Sequence, residues 1–512
     1  MPFRIQYLPP LLIYASAGVS SLTNIVGVFF LKDYLDLSAA FIASIGFWAG
    51  IPWALKMPIG FIVDKFWSYK NYLVYLGAFI VFVSLLIMYQ LLANREYMEA
   101  MLPISTWFIF SAILVPVGYV IQDVVADAMT VEAVDNSKMI DETDLSLKKE
   151  HTLVQLYGRF AIILGTILVS AINLFIFYDI DISNKILVNN TYAKIYFYSL
   201  GIPFISVSGI ILSKFFSKKS RLSNKKSLDT RTLNSLDYKI LIGSIVFVLL
   251  TLILGLSKIP FSQEIILLSS LILISILIHF LIKDLSLEKR NTIIGSALII
   301  FVFRSMPGPG QGLTWFEIDI LGFDQYFLSF LALISGMLTL LGMIIFRKFM
   351  VKATIPKLFI ILSVVSSILY LPSIFMYYGL HNFTSQVTNG IVDQRFIALV
   401  NSAVESPLSQ VAMIPLLAWI ARNAPNKYKA TFFAVFASFT NLALSSRELL
   451  TKYLNKIYII EREVVDPNNK NVLTNSNYDK LDELLISVTL ITLFTPIICI
   501  FLIQKTKFKS KD

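Results

Sequence analysis

Residues 118–135 read GYVIQDVVADAMTVEAVD and continue an apolar run that begins near Pro103. The whole run is long enough to cross a bilayer as one helix. Its polar side chains are Gln122, Asp123, Asp127 and, at its end, Glu132. On a helix, Asp123 and Asp127 share one face and lie about 6 Å apart along the axis. The stretch therefore predicts a membrane-spanning helix with two carboxyl groups on one side.

Two interpretations of this acidic pair are open. A carboxylate in a membrane span costs roughly 3 kcal/mol on insertion scales, so both side chains are expected to face protein or water rather than lipid. In the first interpretation, basic neighbours satisfy a purely structural pair. In the second, the pair is a substrate or proton site inside a transporter. We favour the second because ionisable groups within a membrane are functional by default.

The composition of the whole chain supports a membrane protein. Of its 512 residues, 56% are hydrophobic and only 15% are charged, whereas soluble domains carry about 25% charged residues. The net charge of +10 is explained by the positive-inside rule, so it does not point to nucleic acid. The single cysteine, Cys499, excludes a disulfide, and three scattered histidines argue against a metal site. We expect a polytopic helical membrane protein without metal or other cofactor.

Apolar windows of about 20 residues predict about fourteen membrane-spanning helices. They lie near residues 8–31, 38–63, 71–92, 103–131, 152–178, 194–214, 239–257, 261–282, 292–319, 326–346, 357–379, 395–421, 428–446 and 484–504. If the N-terminus is inside, the inner segments hold most of the lysine and arginine residues and the short outer loops hold few. By the positive-inside rule, both termini are expected in the cytoplasm.

An internal repeat organises these helices. FFLKDYLDLSAAFIA (29–43) closes the first span and opens the second, and TWFEIDILGFDQYFLS (314–329) does the same for the ninth and tenth. This all-α layout resembles the major facilitator superfamily, whose halves are repeats. The four expected parts are an N-terminal six-helix half (1–216), a basic cytoplasmic linker (217–237), an inserted transmembrane hairpin (238–290) and a C-terminal six-helix half (291–512).

A segment at the inner end of the second span predicts a cytoplasmic gate. Its residues GFIVDK (60–65) resemble the superfamily's loop signature between helices two and three, G-x-x-x-D-R/K. The glycine permits close helix approach, and the aspartate can meet a helix N-terminus or a basic residue. The expected gate residues are Gly60, Asp64, Lys65, Lys70 and Glu132. An ordinary positive-inside loop is the alternative.

Further polar side chains inside the predicted spans are candidates for a substrate or coupling-ion site. Gln155 and Arg159 share one face of the fifth span, and Arg159 is a candidate partner for Asp127 or for a substrate carboxylate. In the ninth span, Arg304 precedes SMPGPGQG (305–312), which predicts a broken helix that lines a cavity. The complete candidate set is Asn24, Lys56, Gln122, Asp123, Asp127, Gln155, Arg159, Arg304 and Glu405.

Several of these candidates have a structural alternative. Lys56 can extend to the cytoplasmic surface instead of facing Asp123 or Asp127. Asn24 shares a stripe with Ser16 and Ser20 that serves helix packing equally well. The break in the ninth span can be a simple kink.

The twelfth span carries an acid of its own. Asn401, Glu405 and Ser409 recur every four residues, so they share one helix face. We therefore expect Glu405 to be a cavity acid of the second half.

Five stretches carry a resemblance to a known family. They are FFLKDYLDLSAAFIA (29–43), IPWALKMPIGFIVDKF (51–66), QDVVADAMTVEAV (122–134), FVFRSMPGPGQGLTWFEIDILGF (301–323) and YKATFFAVFASFTNLALSS (428–446). In this order they resemble the folate-biopterin transporter family, which is related to the muropeptide permeases of peptidoglycan recycling. Three features depart from the family pattern: Met57 separates Lys56 from Pro58, Lys429 stands where the family has an acid, and the hairpin is additional.

The resemblance implies a secondary active transporter, not an enzyme, that works by alternating access. It implies an anionic, ring-bearing solute such as a folate or pterin, with H+ as the coupling ion bound by Asp123 or Asp127. The residues expected to meet the solute are Lys56, Arg159 and Arg304 at its carboxylates. Trp48, Trp53 and Trp315 are candidates for contact with its ring, although interfacial aromatic belts explain most tryptophans equally well. The expected protein is a monomer in the inner or plasma membrane. The alternatives are a permease for muropeptides or another amphiphilic solute, a membrane-embedded transferase and a non-transporting scaffold.

Overall fold

The chain is built almost entirely from helices. The computed structural model describes residues 4–35, 37–54, 56, 59–60, 63, 69–133, 145–180, 184–220, 235–256, 259–346, 349, 353–408, 411, 413–423, 429–465 and 472–510. By its internal contacts the chain divides into two compact units. The first unit contains residues 1–28 and 58–238, and the second contains residues 29–57 and 239–512. The four-part division that the repeat predicts remains a prediction, since the units are grouped by contact and not by repeat.

Twenty α-helices have bounds within the described residues. They are α1 (Leu8–Val19), α2 (Asn24–Tyr34), α3 (Ala39–Ala54), α4 (Lys70–Ala93), α5 (Arg95–Met101), α6 (Ile104–Ala133), α7 (Leu145–Phe177), α8 (Lys185–Ser199), α9 (Ile202–Ser220), α10 (Ser235–Leu256), α11 (Ser262–Ile282), α12 (Leu287–Arg304), α13 (Gln311–Asp319), α14 (Gln325–Ile345), α15 (Ile355–Tyr377), α16 (Leu380–Val387), α17 (Gln394–Glu405), α18 (Met413–Asn423), α19 (Lys429–Ile457) and α20 (Leu481–Gln504). Short 3-10 turns stand at Ile5–Tyr7, Ser20–Thr23 and Ser406–Leu408.

Nine helical segments within the described ranges are long and apolar enough to cross a membrane. They are Ile5–Lys32, Lys70–Ala93, Ile104–Thr130, Leu156–Phe177, Lys185–Phe215, Ser262–Ile282, Gln325–Ile345, Ile355–Tyr377 and Leu481–Gln504. Each of the fourteen predicted spans contains a helix. The number of helices that actually span remains a prediction.

Two helices extend beyond the predicted spans, and bonds to other helices satisfy polar residues in the extensions. α8 begins at Lys185 rather than near residue 194, and the Asn189 amide in its first half donates to the carbonyl of Leu92 at 3.3 Å. α19 continues to Ile457 rather than ending near residue 446. Its Lys452 donates to the Gln263 side-chain oxygen at 2.8 Å. A hydropathy window does not register such compensation.

In the first unit, α1 packs against α6, α7 and α9, and α4 packs against α6, α8 and α9. α4 and α6 cross at Gly77 and Gly118. A Cβ placed on either glycine would lie 2.6 Å from the carbonyl oxygen of the other. Both positions therefore need glycine for the close approach of the two backbones.

In the second unit, α3 packs along α19, α15 packs along α20, and α12 contacts α15, α19 and α20. α11 of the predicted hairpin lies against α19, and its Gln263 amide donates to the Ser44 hydroxyl of α3 at 2.6 Å. The predicted break in the ninth span is confirmed, since α12 ends at Arg304 and α13 begins at Gln311.

A hydrophobic core of the second unit lies where α13 and α20 meet the chain that joins α19 to α20. Its buried residues include Trp315, Phe316, Leu321, Phe323, Ile460, Tyr478 and Leu485. In that connection, β1 (Val464–Val465) pairs with β2 (Val472–Thr474) in an antiparallel ladder. This small hairpin is the one departure from the all-α expectation within the described residues.

Candidate functional site

A tyrosine of α1 meets one of the two acids of α6. The hydroxyl of Tyr14 donates a hydrogen bond to Oδ1 of Asp127. Tyr14 is only 5% exposed, and Asp127 is partly buried. A tyrosine hydroxyl inside an apolar helix bundle is costly unless it is bonded, so this contact holds both side chains in place.

The position of the Tyr14 ring depends on a glycine of α7. A Cβ placed on Gly158 would lie 2.8 Å from Cε2 of the ring, closer than real side-chain contacts allow. The absence of a side chain at Gly158 therefore gives Tyr14 the room to reach Asp127.

The contact between Tyr14 and Asp127 lies within the membrane-spanning part of the unit. Tyr14 is about 9 Å along α1 from its first residue, and Asp127 is about 9 Å from the last residue of α6. Asp123 lies one turn further along the same face of α6, about 15 Å from that end. Arg159, the residue that follows Gly158 in α7, interacts electrostatically with Tyr14, as do both aspartates. Two carboxylates, a phenol and a guanidinium thus form one polar cluster, which we call the Tyr14 cluster.

Three other predicted residues of the first unit lie elsewhere. Gln122 is 2% exposed, and its amide donates to the Gly118 carbonyl at 3.3 Å, so it belongs to the α4–α6 crossing. Asn24 is exposed at the start of α2. On the same predicted stripe, the Ser16 hydroxyl donates to the Ile202 carbonyl at 3.2 Å, which is helix packing.

The predicted gate is only partly within the described residues. Asp64 and Lys65 lie outside them, as do the side chains of Glu132 and of Gln155 from the cavity set. Gly60 is helical, and a Cβ there would lie 4.0 Å from Val124, an ordinary contact. Lys70 is the first residue of α4 and is partly exposed. The gate therefore remains a prediction.

In the second unit, Arg304 supports the helix break rather than facing an open space. Its Nε donates to the Thr440 carbonyl at 3.2 Å, and its Nη1 lies 3.5 Å from the sulfur of Met413. Arg304 thus ties the end of α12 to α18 and α19. Lys56 stacks on Trp53, with 5.8 Å between its ammonium and the ring centroid. Substrate roles for both cations remain predictions.

Glu405 lies at the end of α17, and its carboxylate is exposed. It interacts electrostatically with Arg447 of α19, with Tyr370 of α15 and with Glu317 of α13. Within the described residues, no group of three or more histidine, cysteine or acidic side chains is arranged to hold a metal ion.

The family can be identified from the sequence as a whole. A family model described as the BT1 family matches residues 17–512. The chain belongs to the BT1 family.

Curated relatives of this BT1 protein carry transporter names. Folate transporter 2 of Plasmodium falciparum is 26% identical over 200 residues, which are 39% of this chain and 42% of the relative. The folate-biopterin transporter of Synechocystis sp. is 27% identical over 157 residues, 30% of each chain. The matched residues therefore span less than half of either relative.

Solved structures with the same fold are also transporters. A POT family transporter in complex with a thioalcohol conjugated peptide has a TM-score of 0.61 at 12% identity, and the match covers 98% of this chain and 96% of that chain. A POT family transporter in complex with 5-aminolevulinic acid has a TM-score of 0.60 at 13% identity, with the same coverage. The BT1 protein therefore has the major facilitator superfamily fold and is an integral multi-pass membrane protein.

Sequence reasoning missed Tyr14, Gly158 and Arg447 of this BT1 protein. Tyr14 is one of 23 tyrosines, and nothing in its spacing marks it. Arg447 lies one residue beyond the predicted thirteenth span (428–446), so hydropathy did not include it in a helix. The sequence signal for a longer helix is that Arg447 and the glutamate after it directly follow small polar residues, which can continue a helix.

The expectation that Trp315 meets a substrate ring is wrong. Trp315 is 1% exposed in the hydrophobic core, and its ring lies 5.4 Å from the Arg462 guanidinium. Trp48 packs on Gly255, where a Cβ would lie 3.1 Å from its ring. Helix packing thus accounts for both side chains.

Proposed function

We propose that this BT1 protein is a secondary active transporter that moves a folate- or pterin-like organic anion by alternating access, coupled to H+. The observation that carries the proposal is the Tyr14 cluster. It places a hydrogen-bonded carboxylate, a second carboxylate and a guanidinium inside the membrane-spanning part of one unit.

The cluster supports coupling through charge balance. Arg159 offsets part of the charge of Asp123 and Asp127, so an added anion is repelled by the remaining negative charge. Protonation of Asp127 removes one charge and lets Arg159 attract a carboxylate of the solute. Anion binding and proton binding then favour each other, which is the requirement for symport.

Tyr14 has a defined part in this scheme. Its hydroxyl donates to the ionised Asp127 and so holds that carboxylate in place. When Asp127 takes up a proton, the tyrosine hydroxyl can instead accept a hydrogen bond, because a phenol is both donor and acceptor. The pair therefore keeps a hydrogen bond in both protonation states.

The substrate class is supported by the names of the curated relatives, a folate transporter and a folate-biopterin transporter. The location is a cell membrane with both termini in the cytoplasm, supported by the bias of lysine and arginine toward inner loops. The transporter acts as a monomer in this proposal.

Uptake by proteoliposomes tests the proposal. The full-length protein is reconstituted and given labelled folic acid, biopterin or a muropeptide, with and without an outside-acid pH gradient. Uptake of folic acid or biopterin that the gradient drives supports the proposal, and Arg159→Gln abolishes it. Arg95→Gln, which alters a surface pair with Glu99, is the matched control. Uptake of muropeptide alone would mean that the substrate is a muropeptide rather than a folate or pterin. No uptake of any of the three compounds would contradict the proposal.

A further inference from the structure

Two hydrogen-bond acceptors of the second unit have no side-chain donor among the described residues. Glu405 is the last residue of α17, and Asn401 lies one turn earlier on the same face. Within the described part of the chain, the Glu405 carboxylate has no hydrogen bond or ion pair, and the buried Oδ1 of Asn401 has no donor. An unpaired buried acceptor such as Oδ1 of Asn401 is costly, so a ligand that supplies donors to it and to the exposed Glu405 carboxylate fits this face.

Arg447 is placed beside these acceptors. A Cβ on Gly308 would lie 3.1 Å from its Nη2, so the guanidinium lies against the break between α12 and α13. It interacts electrostatically with Glu405. Among the described residues it makes no ion pair within 4.0 Å, so it offsets the charge of Glu405 without covering its oxygens.

Two residues that come after Arg447 in α19 hold the break between α12 and α13 in place. Thr451 accepts a hydrogen bond from the backbone N–H of Gly308 at 3.0 Å, and the Asn455 amide donates to the Pro309 carbonyl at 3.2 Å. These two backbone groups of the break are therefore satisfied by α19 and do not compete with Glu405 and Asn401 for the donors of a ligand.

The geometry of a carboxylate restricts what this ligand is. Its two coplanar oxygens match two parallel N–H donors of a planar group. Oδ1 of Asn401 is a further acceptor, so the ligand also needs a donor for this oxygen. A planar nitrogen heterocycle with adjacent ring N–H and exocyclic amino donors meets it.

We infer that Glu405 and Asn401 bind the N–H edge of a planar heterocycle, of the 2-amino-4-oxopyrimidine type, and that Arg447 positions Glu405. The inference rests on the proposed function, because it takes the solute to be pterin-like. It adds a ring-recognition site in the second unit to the charge-coupling cluster of the first.

Two pteridines that differ only at this edge test the inference. Pterin carries a 2-amino group, and lumazine carries an oxygen there. Affinities are obtained from the ligand-dependent rise in melting temperature of the purified full-length protein. Glu405→Gln is expected to lower the affinity for pterin by about 10-fold or more, since one acceptor of the pair becomes a donor. Its affinity for lumazine is expected to change by less than about twofold.

Glu448→Gln is the matched control. Glu448 adjoins Arg447, but a Cβ on Gly46 of α3 would lie 2.9 Å from its Oε2, so its carboxylate lies against α3. The control is expected to bind both pteridines as the unchanged protein does. Asn401→Ala lowers pterin affinity in the same direction and serves if Glu405→Gln does not fold.

The outcomes separate this inference from the proposed function. Pterin binding that Glu405→Gln and Asn401→Ala leave unchanged overturns the inference and leaves a pterin transporter. Loss of pterin affinity in Glu448→Gln equal to that in Glu405→Gln also overturns it, because a charge effect then explains both. If the unchanged protein binds neither pteridine and takes up no folic acid, both proposals fail.

Discussion

The ammonium of Lys32, at the end of α2, lies 2.6 Å from Oδ1 of Asp319, at the end of α13. The hydroxyl of Tyr478 donates to the other oxygen of the same carboxylate, also at 2.6 Å. Asp319 thus connects three segments: the turn after α2, the turn after α13, and the chain between α19 and α20. The first two are the turns that the internal repeat relates to each other. The interaction is largely buried, with the two charged side chains 17% and 20% exposed.

Removal of the Lys32 charge is expected to destabilise the second unit. Lys32→Met leaves Asp319 with one partner, and we expect a loss of about 1–3 kcal/mol in the free energy of unfolding. Lys480→Met is the control, because the ion pair of Lys480 with Glu483 is about half exposed and screened by solvent, so its loss is expected to change stability much less. Chemical unfolding of both variants checks this, and equal losses would contradict it.

Stability at alkaline pH is expected to depend on Tyr478. Burial raises the pKa of its hydroxyl well above the usual value, and the hydrogen bond to Asp319 raises it further. The unfolded tyrosine has a pKa of about 10, so its contribution is complete below that pH and is lost as the pH rises above it. The difference in melting temperature between the unchanged protein and Tyr478→Phe is therefore constant from neutral pH to about pH 9 and shrinks above pH 10. A difference that grows above pH 10 would contradict this.

A side chain at Gly158 is expected to displace Tyr14. Gly158→Ala places a Cβ 2.8 Å from the Tyr14 ring, and such overpacking costs about 1–3 kcal/mol. Gly27→Ala is the control, since its Cβ would lie 3.8 Å from Tyr196. In the double variant with Tyr14→Ala, Gly158→Ala is expected to cost much less. Equal costs with and without the Tyr14 ring would show that no displacement occurs.

The predicted hairpin is tested by reporter fusions after Lys225, Lys258 and Leu287. The sequence predicts spans at 239–257 and 261–282, which precede and follow residue 258. Of the two helices found there, α11 is long and apolar enough to cross a membrane. We expect the fusion at 258 to report the outside and the other two the inside. Three inside reporters would reduce the number of spanning helices to twelve.

The sequence was sufficient for those parts of the fold that local patterns determine. Hydropathy located the helices, and the prolines and glycines of residues 305–312 located the break between α12 and α13. The spacing of Asp123 and Asp127 placed both on one helix face. These features depend on residues within one or two helical turns of each other.

The rest of the site depends on contacts between distant parts of the chain. Tyr14 reaches Asp127 across 113 positions, and the missing side chain of Gly158 on a third helix leaves room for its ring. The predicted thirteenth span ends at residue 446, one residue before Arg447, whereas α19 continues to Ile457 and its Lys452 bonds to Gln263 of the distant α11. The aromatic ring of Trp315 made it a candidate for contact with the ring of the solute. Its burial instead follows from the hydrophobic core around it.

The proton-coupling role of Asp127 is the central claim, and Asp127→Asn tests it most directly. Uptake of labelled folic acid into proteoliposomes is measured in two modes, driven by an outside-acid pH gradient and as exchange against internal unlabelled folic acid. The asparagine imitates the protonated aspartate, so exchange is expected to continue while gradient-driven accumulation falls by about 10-fold or more. Glu99→Gln, an exposed acid of α5, is expected to retain both modes. Gradient-driven accumulation that persists in Asp127→Asn would contradict the account.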